Sequence, residues 1–120
     1  MKRCSSISEG LLDSLFASAG VDSQLSDSSL LRALLDTESA LAQAEADVGV
    51  IPVEAAKKIA DACQHATLDL ARLGDDAQGG GNPVVPLVRA LGAVLPEDAR
   101  PWAHYGATSQ DILDTALMLM

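Results

Sequence analysis

The chain has 120 residues, 48% of them hydrophobic, and its aromatic residues are Phe16, Trp102 and Tyr105 alone. That length makes one domain at most, with a core of Leu, Val and Ala that suits packed helices better than a sheet. A net charge of −9, with no basic cluster larger than Lys57–Lys58, argues against nucleic acid and anionic membranes, which are gripped through grouped Lys and Arg.

The N-terminal stretch MKRCSSISEGLLDSLFASAG starts basic, but Asp13 and Ser14 interrupt its apolar residues, so it makes a poor secretory segment. No run approaches the ~18 apolar residues of a membrane span, and a cytoplasmic protein is the simplest expectation. Residues 5–26 read as a leader, with a short helix near Leu11 to Ala17 ended by Gly20. The strongest helical signal follows. Leu30, Leu34, Leu41, Ala44 and Val48 form a stripe, widened by Leu31, Leu35 and Ala42. Ser26 or Asp27 can cap its start and Gly49 can end it. About 20 residues of helix span roughly 30 Å.

Pro52 suits the first position of a second helix, whose inner face is Ala55, Ile59, Ala62 and Cys63. A bend is expected near His65 to Thr67, then a short helix from Leu68 to Leu73. The triple glycine Gly79–Gly80–Gly81 breaks the chain, each glycine costing a helix about 1 kcal/mol relative to Ala. Asn82 followed by Pro83 reads as a cap and first position for a helix with the face Val84, Leu87, Val88, Leu91 and Leu95. Pro86 falls in its first turn, where a missing N–H does little harm. Pro96 and Pro101 bound an extended connection, and a last helix begins after Ala107. The expected fold class is all-α, with no period-2 strand and no internal repeat.

Few residues can carry chemistry. Cys4 and Cys63 belong to no C-x-x-C pair, and Cys63 with His65 supplies two ligands where a structural zinc needs four. Two reduced thiols and no metal are expected. His65 reads as partly exposed and inert. Asp61, Asp69, Asp75 and Asp76 read as solvated helix faces. The segment ATSQD offers Thr108 as an N-cap with Asp111 three residues on, close to a capping box. Capping does not require Ser109 and Gln110. Together these hydroxyls, the amide and unpaired N–H groups at a helix start make an anion site, so both readings stand. Asn82 in GGGNP is either a simple cap or a group presented to a ligand by a tight loop. His104, beside Trp102, is either a packed side chain or part of that same corner.

HYGATSQDILDTALML resembles the first signature region of the fumarase/aspartase superfamily, in the version used by adenylosuccinate lyases and carboxymuconate cycloisomerases. GGGNPVVPLVRAL is similar to the Gly-Asn-x-x-x-Pro-Leu-Val pattern of bacterial 3-carboxy-cis,cis-muconate cycloisomerases; adenylosuccinate lyases carry Arg-His-Asp where this chain has Gly81, Asn82 and Pro83. LLRALLDTESALAQAEADVGVIP fits the opening long helix of that family. The resemblance runs from about Ser28 to Met120. It implies an N-terminal helical domain over 1–107 and the start of a central-bundle helix over 108–120, in a homotetramer. It implies that Thr108 and Ser109 bind a substrate carboxylate, that Gln110 lines the same pocket, that Asn82 holds substrate without acting as an acid, and that His104 lines the site. It implies a tricarboxylate substrate and no metal or organic cofactor.

The family's second-region catalytic His motif and its mobile Gly-Ser-x-x-Met-Pro loop are missing from these residues. The principal catalytic residues are therefore expected outside the chain, which is expected to be inactive alone. Ile112, Ala116 and Leu119, with Leu113, Leu117 and Met120 beside them, form an apolar face without a closing cap, so self-association through that helix is expected. Another lyase of the superfamily and a non-catalytic helical interaction module are the alternative readings.

Overall fold

The computed structural model describes residues 19–120. The short helix expected near Leu11 to Ala17 lies outside the described residues. Helix α1 spans Ala19–Gln24. Gly20 thus lies within an element rather than closing one.

Helix α2, Asp27–Asp47, is the longest. Its start is fixed locally: the Ser26 hydroxyl accepts from the Ser29 N–H at 3.2 Å, satisfying a donor that has no partner inside the helix. Its end is equally local. Gly49 sits at φ 75°, and the Val50 and Gly49 N–H groups reach back to the Glu45 and Ala46 carbonyls at 2.7 and 3.0 Å. That pair of bonds closes the last turn, and glycine takes the left-handed backbone at no steric cost.

The buried face of α2 is Ala33, Leu34, Leu35, Thr37, Glu38, Ala42 and Ala46. Ala44 and Val48, expected in the stripe, are exposed, Val48 by 75%. The heptad-like spacing 34–41–48 drifts across the surface of a 3.6-residue helix, whereas 35–38–42–46 stays on one face.

Helix α3 spans Val53–His65. Pro52 stands one residue before it, extended at φ −62° and ψ 134°, and its carbonyl accepts from the Ala55 and Ala56 N–H groups. It serves as the cap residue, not as the first helical one. The chain leaves helix at residues 66–69, as the bend predicts. Helix α4, Leu70–Gln78, then starts later and runs longer than the expected Leu68 to Leu73. The cause is Asp69, whose carboxylate accepts from Ala71 and Arg72 N–H at 3.0 and 3.2 Å and sets the start. Gly74 is absorbed into the helix.

Helix α5 spans Val84–Val94 with Pro86 in its first turn. The connection from Pro96 is not extended. The Pro96 carbonyl accepts from both Ala99 and Arg100 N–H at 3.0 Å, and a 3₁₀ turn covers Arg100–Trp102. Helix α6 spans Ser109–Leu119.

Helix α2 is the axis of the packing, with α3 and α6 as its main neighbours; α4 lies on α5, and α5 also meets α3 and α6. The core joins α2 to Ile59 and Cys63 of α3, Val84, Leu87 and Leu91 of α5, and Ile112 and Ala116 of α6. Burying a side chain such as Ile59, Leu87 or Leu91, each at most 1% exposed, contributes about 1.5–3 kcal/mol. Half of the apolar face of α6 is therefore covered. Leu117, Met118 and Leu119 remain 48, 84 and 63% exposed. Among the described residues there is no strand, and no helix is long and apolar enough to cross a membrane.

Candidate carboxylate-binding site

The entry to α6 carries a complete capping box. The Asp111 N–H donates to the Thr108 hydroxyl at 3.3 Å, and the Thr108 N–H donates to Asp111 Oδ2 at 2.8 Å. The Thr108 hydroxyl donates to that same Oδ2 at 2.7 Å. These bonds, the backbone one first, hold the Asp111 carboxyl below its ordinary range. The corner is open, with Thr108 exposed, but the donors of Thr108 are taken by an internal carboxylate. The Ser109 and Gln110 N–H groups remain as first-turn donors without an intrahelical acceptor. Among the described residues the half-buried Ser109 hydroxyl makes no hydrogen bond. The exposed Gln110 side chain donates to Asp114 Oδ1 at 2.5 Å. Capping is thus established for Thr108, and Ser109 and Gln110 are what capping leaves over.

Asn82 is half-buried and its Oδ1 accepts from the Val84 N–H at 2.8 Å. It fastens the start of α5 from one residue further out than expected, because Pro83 occupies the cap position. No hydrogen bond or ion pair joins Asn82 to His104, Thr108, Ser109 or Gln110 among the described residues. The apolar cleft lined by Leu30, Leu31, Leu34, Leu70, Leu73 and Leu87 involves none of these five.

His104 is where the structure adds most. Its backbone is left-handed at φ 57°, and its Nδ1 lies 2.7 Å from Oε1 of Glu38. Glu38 is 1% exposed. Its second oxygen is buried without a partner, as is Oε2 of Glu45. Burial pushes the Glu38 carboxyl up, opposed by the hydrogen bond and charge of His104 and helped by the charge of Glu45. Burial likewise raises Glu45, against the charge of His104. His104 also acts on Asp111, so this ring lies among three carboxylates at one end of α6. Among the described residues no group of His, Cys, Asp and Glu is arranged to hold a metal.

Sequence reading missed Glu38 and Glu45. A signal was present: the apolar stripe of α2 lapses between Leu34 and Leu41, and Glu38 stands in that gap. Cys63 is buried and free. Its thiol is pushed up to about 12, first by burial and then by the charge of Glu38. Asp61, Asp69, Asp75, Asp76 and His65 are all exposed.

An all-helical segment whose longest helix receives a His–Tyr–Gly–Ala–Thr–Ser–Gln–Asp corner has the form of a fumarase/aspartase N-terminal domain, and the chain belongs to that superfamily. Within it, the chain is 46% identical over 112 residues to the 3-carboxy-cis,cis-muconate cycloisomerase of Bradyrhizobium diazoefficiens, a match covering 91% of this chain and 25% of the relative. It is 40% identical over 117 residues to the nitrosuccinate lyase of Streptomyces davaonensis, covering 95% of this chain and 25% of that one. The crystal structure of the β-carboxy-cis,cis-muconate cycloisomerase of Acinetobacter calcoaceticus superposes with a TM-score of 0.86 at 43% identity, over 92% of this chain and 27% of that one. The chain spans about a quarter of the length of these relatives. No family model matches it.

Proposed function

We propose that the chain is the N-terminal portion of a 3-carboxy-cis,cis-muconate cycloisomerase, a cytoplasmic homotetrameric enzyme of protocatechuate breakdown. It interconverts 3-carboxy-cis,cis-muconate and 4-carboxymuconolactone. One carboxylate oxygen adds to an activated double bond while a proton goes to the neighbouring carbon. Such a step needs a stabilised enolate-like carboxylate and a placed acid or base. The chain's share is substrate holding. Ser109 and the free N–H groups of the first α6 turn meet a carboxylate, Gln110 and Asn82 line the pocket, and His104 borders it. Thr108 joins them only when its bond to Asp111 opens. The acid or base itself comes from residues beyond these, so the chain alone is inactive.

The observation that carries this reading is the 46% identity to a named cycloisomerase over nearly the whole chain. The similarity to a nitrosuccinate lyase supports a second reading, a lyase acting on a substituted succinate. An NMR titration of the purified chain separates the two. Added 3-carboxy-cis,cis-muconate shifts the Ser109, Gln110 and His104 signals, and nitrosuccinate does so more weakly. Larger shifts with nitrosuccinate favour the lyase. Shifts confined to other residues sink the site, and lactone turnover in the same tube sinks the assignment of catalysis to missing residues.

A further inference from the structure

Glu38 occupies a core position of α2 where the neighbouring turns place Leu34, Leu35 and Ala42. A carboxyl there gives up its hydration, a loss that only a partner offsets. It has one hydrogen-bond partner, His104 Nδ1 at 2.7 Å, and its other oxygen has none. His104 in turn holds φ 57°, a left-handed conformation that is unfavourable for a non-glycine residue and persists only when its surroundings enforce it. Two unfavourable local choices, 66 positions apart, meet in one short contact.

The geometry assigns to Glu38 the role of positioning residue for His104: it accepts from Nδ1–H and so dedicates Nε2 to the substrate side. An imidazole has two nitrogens, and which carries the proton is set by the bond the other makes. With Nδ1–H held by Glu38, a neutral ring offers Nε2 as a lone pair, and a charged ring offers it as a donor. The ring keeps 17% of its side-chain surface open, so it is clamped without being sealed. Its near charged neighbours are Glu38 and Glu45 from α2 and Asp111 from α6. None of the three is basic, so no second cation competes with the ring for Glu38. This assignment rests on the reading of His104 as a site-lining residue, and its test separates the two.

The measurement is the tautomer of His104 in the 15N-labelled chain, read from long-range 15N–1H spectra above neutral pH. With two histidines in the chain, a His65→Gln variant gives the assignment. The wild-type ring is expected as Nδ1–H. Glu38→Met, which keeps volume but removes the acceptor, is expected to revert it to the commoner Nε2–H form. Glu38→Gln, which keeps a carbonyl acceptor, is expected to retain Nδ1–H. A wild-type ring carrying its proton on Nε2 overturns the assignment, and so does a folded Glu38→Met chain with an unchanged tautomer. If Glu38→Met does not fold, the wild-type and Glu38→Gln tautomers decide. A second arm adds 3-carboxy-cis,cis-muconate to the wild type. A shift at Nε2 supports the site reading, while an unmoved Nε2 in a ring still protonated at Nδ1 removes that reading and leaves the positioning role standing.

Discussion

Asp111 and Glu38 both interact with His104, Glu38 through a hydrogen bond and Asp111 through charge. Asp111 is exposed, its carboxylate receives two hydrogen bonds within its own turn, and it has its carboxyl lowered. Glu38 is 1% exposed, has one oxygen unpaired, and has its carboxyl raised. The same functional group is therefore tuned in opposite directions in one small domain. Hydrogen bonds to the anion win where water is close, and desolvation wins where it is excluded. A helix can make the first arrangement alone. Only the packing of two distant segments can make the second.

Removing the ring should break the comparison most strongly. His104→Ala leaves Glu38 enclosed without a partner, and the loss at pH 8 should be about 3–5 kcal/mol, measured by urea unfolding. The pH dependence follows from the signs. The Glu38 carboxyl is raised in the folded chain above its ordinary value of 4.5. Its stabilising contribution is thus fully present below that value and is lost as pH rises through the folded-state one, at up to about 1.4 kcal/mol per pH unit. The penalty of His104→Ala should shrink toward pH 4.5, and Glu38→Gln should flatten the wild-type profile across the same interval. Equal penalties at pH 8 and pH 4.5 would show that the contact is mere packing. Asp111 has the opposite sign: its contribution is present above the unfolded carboxylate range and is lost as pH falls through the lowered value.

The exposed side of the comparison should yield a smaller effect. Thr108→Ala deletes the cap and should destabilise by about 1 kcal/mol, seen as a lower urea midpoint with an unchanged slope. A loss as large as that of His104→Ala would place Thr108 in the tertiary structure and not in a local box. The smallest expected effect is the absence of a reaction. In a Cys4→Ser background, Cys63 should resist thiol reagents at pH 8 except at the rate at which the chain opens. Its thiol lies in the core beside Glu38 and is raised to about 12. Rapid labelling of the folded chain would show that the region around Glu38 is wet.

What the sequence made legible was local. Ser26, Gly49, Asn82 and the Thr108–Asp111 pair announce helix ends because their chemistry acts over two to four residues. The fold class followed from apolar spacing for the same reason. Asp69 was read as a solvated face and proved to be a cap, since one carboxylate suits both. The stripe through Ala44 and Val48 failed because spacing names a face only relative to the neighbours that cover it, and α2 is covered by two helices at once. Glu38 and His104 were illegible as a pair. Nothing in either segment states that they meet, and a Glu in a helix is ordinarily a surface residue. The five candidate residues could be named one by one, but how Asn82 relates to the α6 corner depends on tertiary placement.

The capping box has one more consequence. Asp111 already sits where an incoming anion would be received by Thr108. A guest reaching that hydroxyl must evict a tenant that belongs to the protein. Occupancy by ligand and fraying of the first turn of α6 then become one coupled equilibrium. Affinity for such a guest would be set by how easily the helix lets go of its own acid as well as by how well the guest fits.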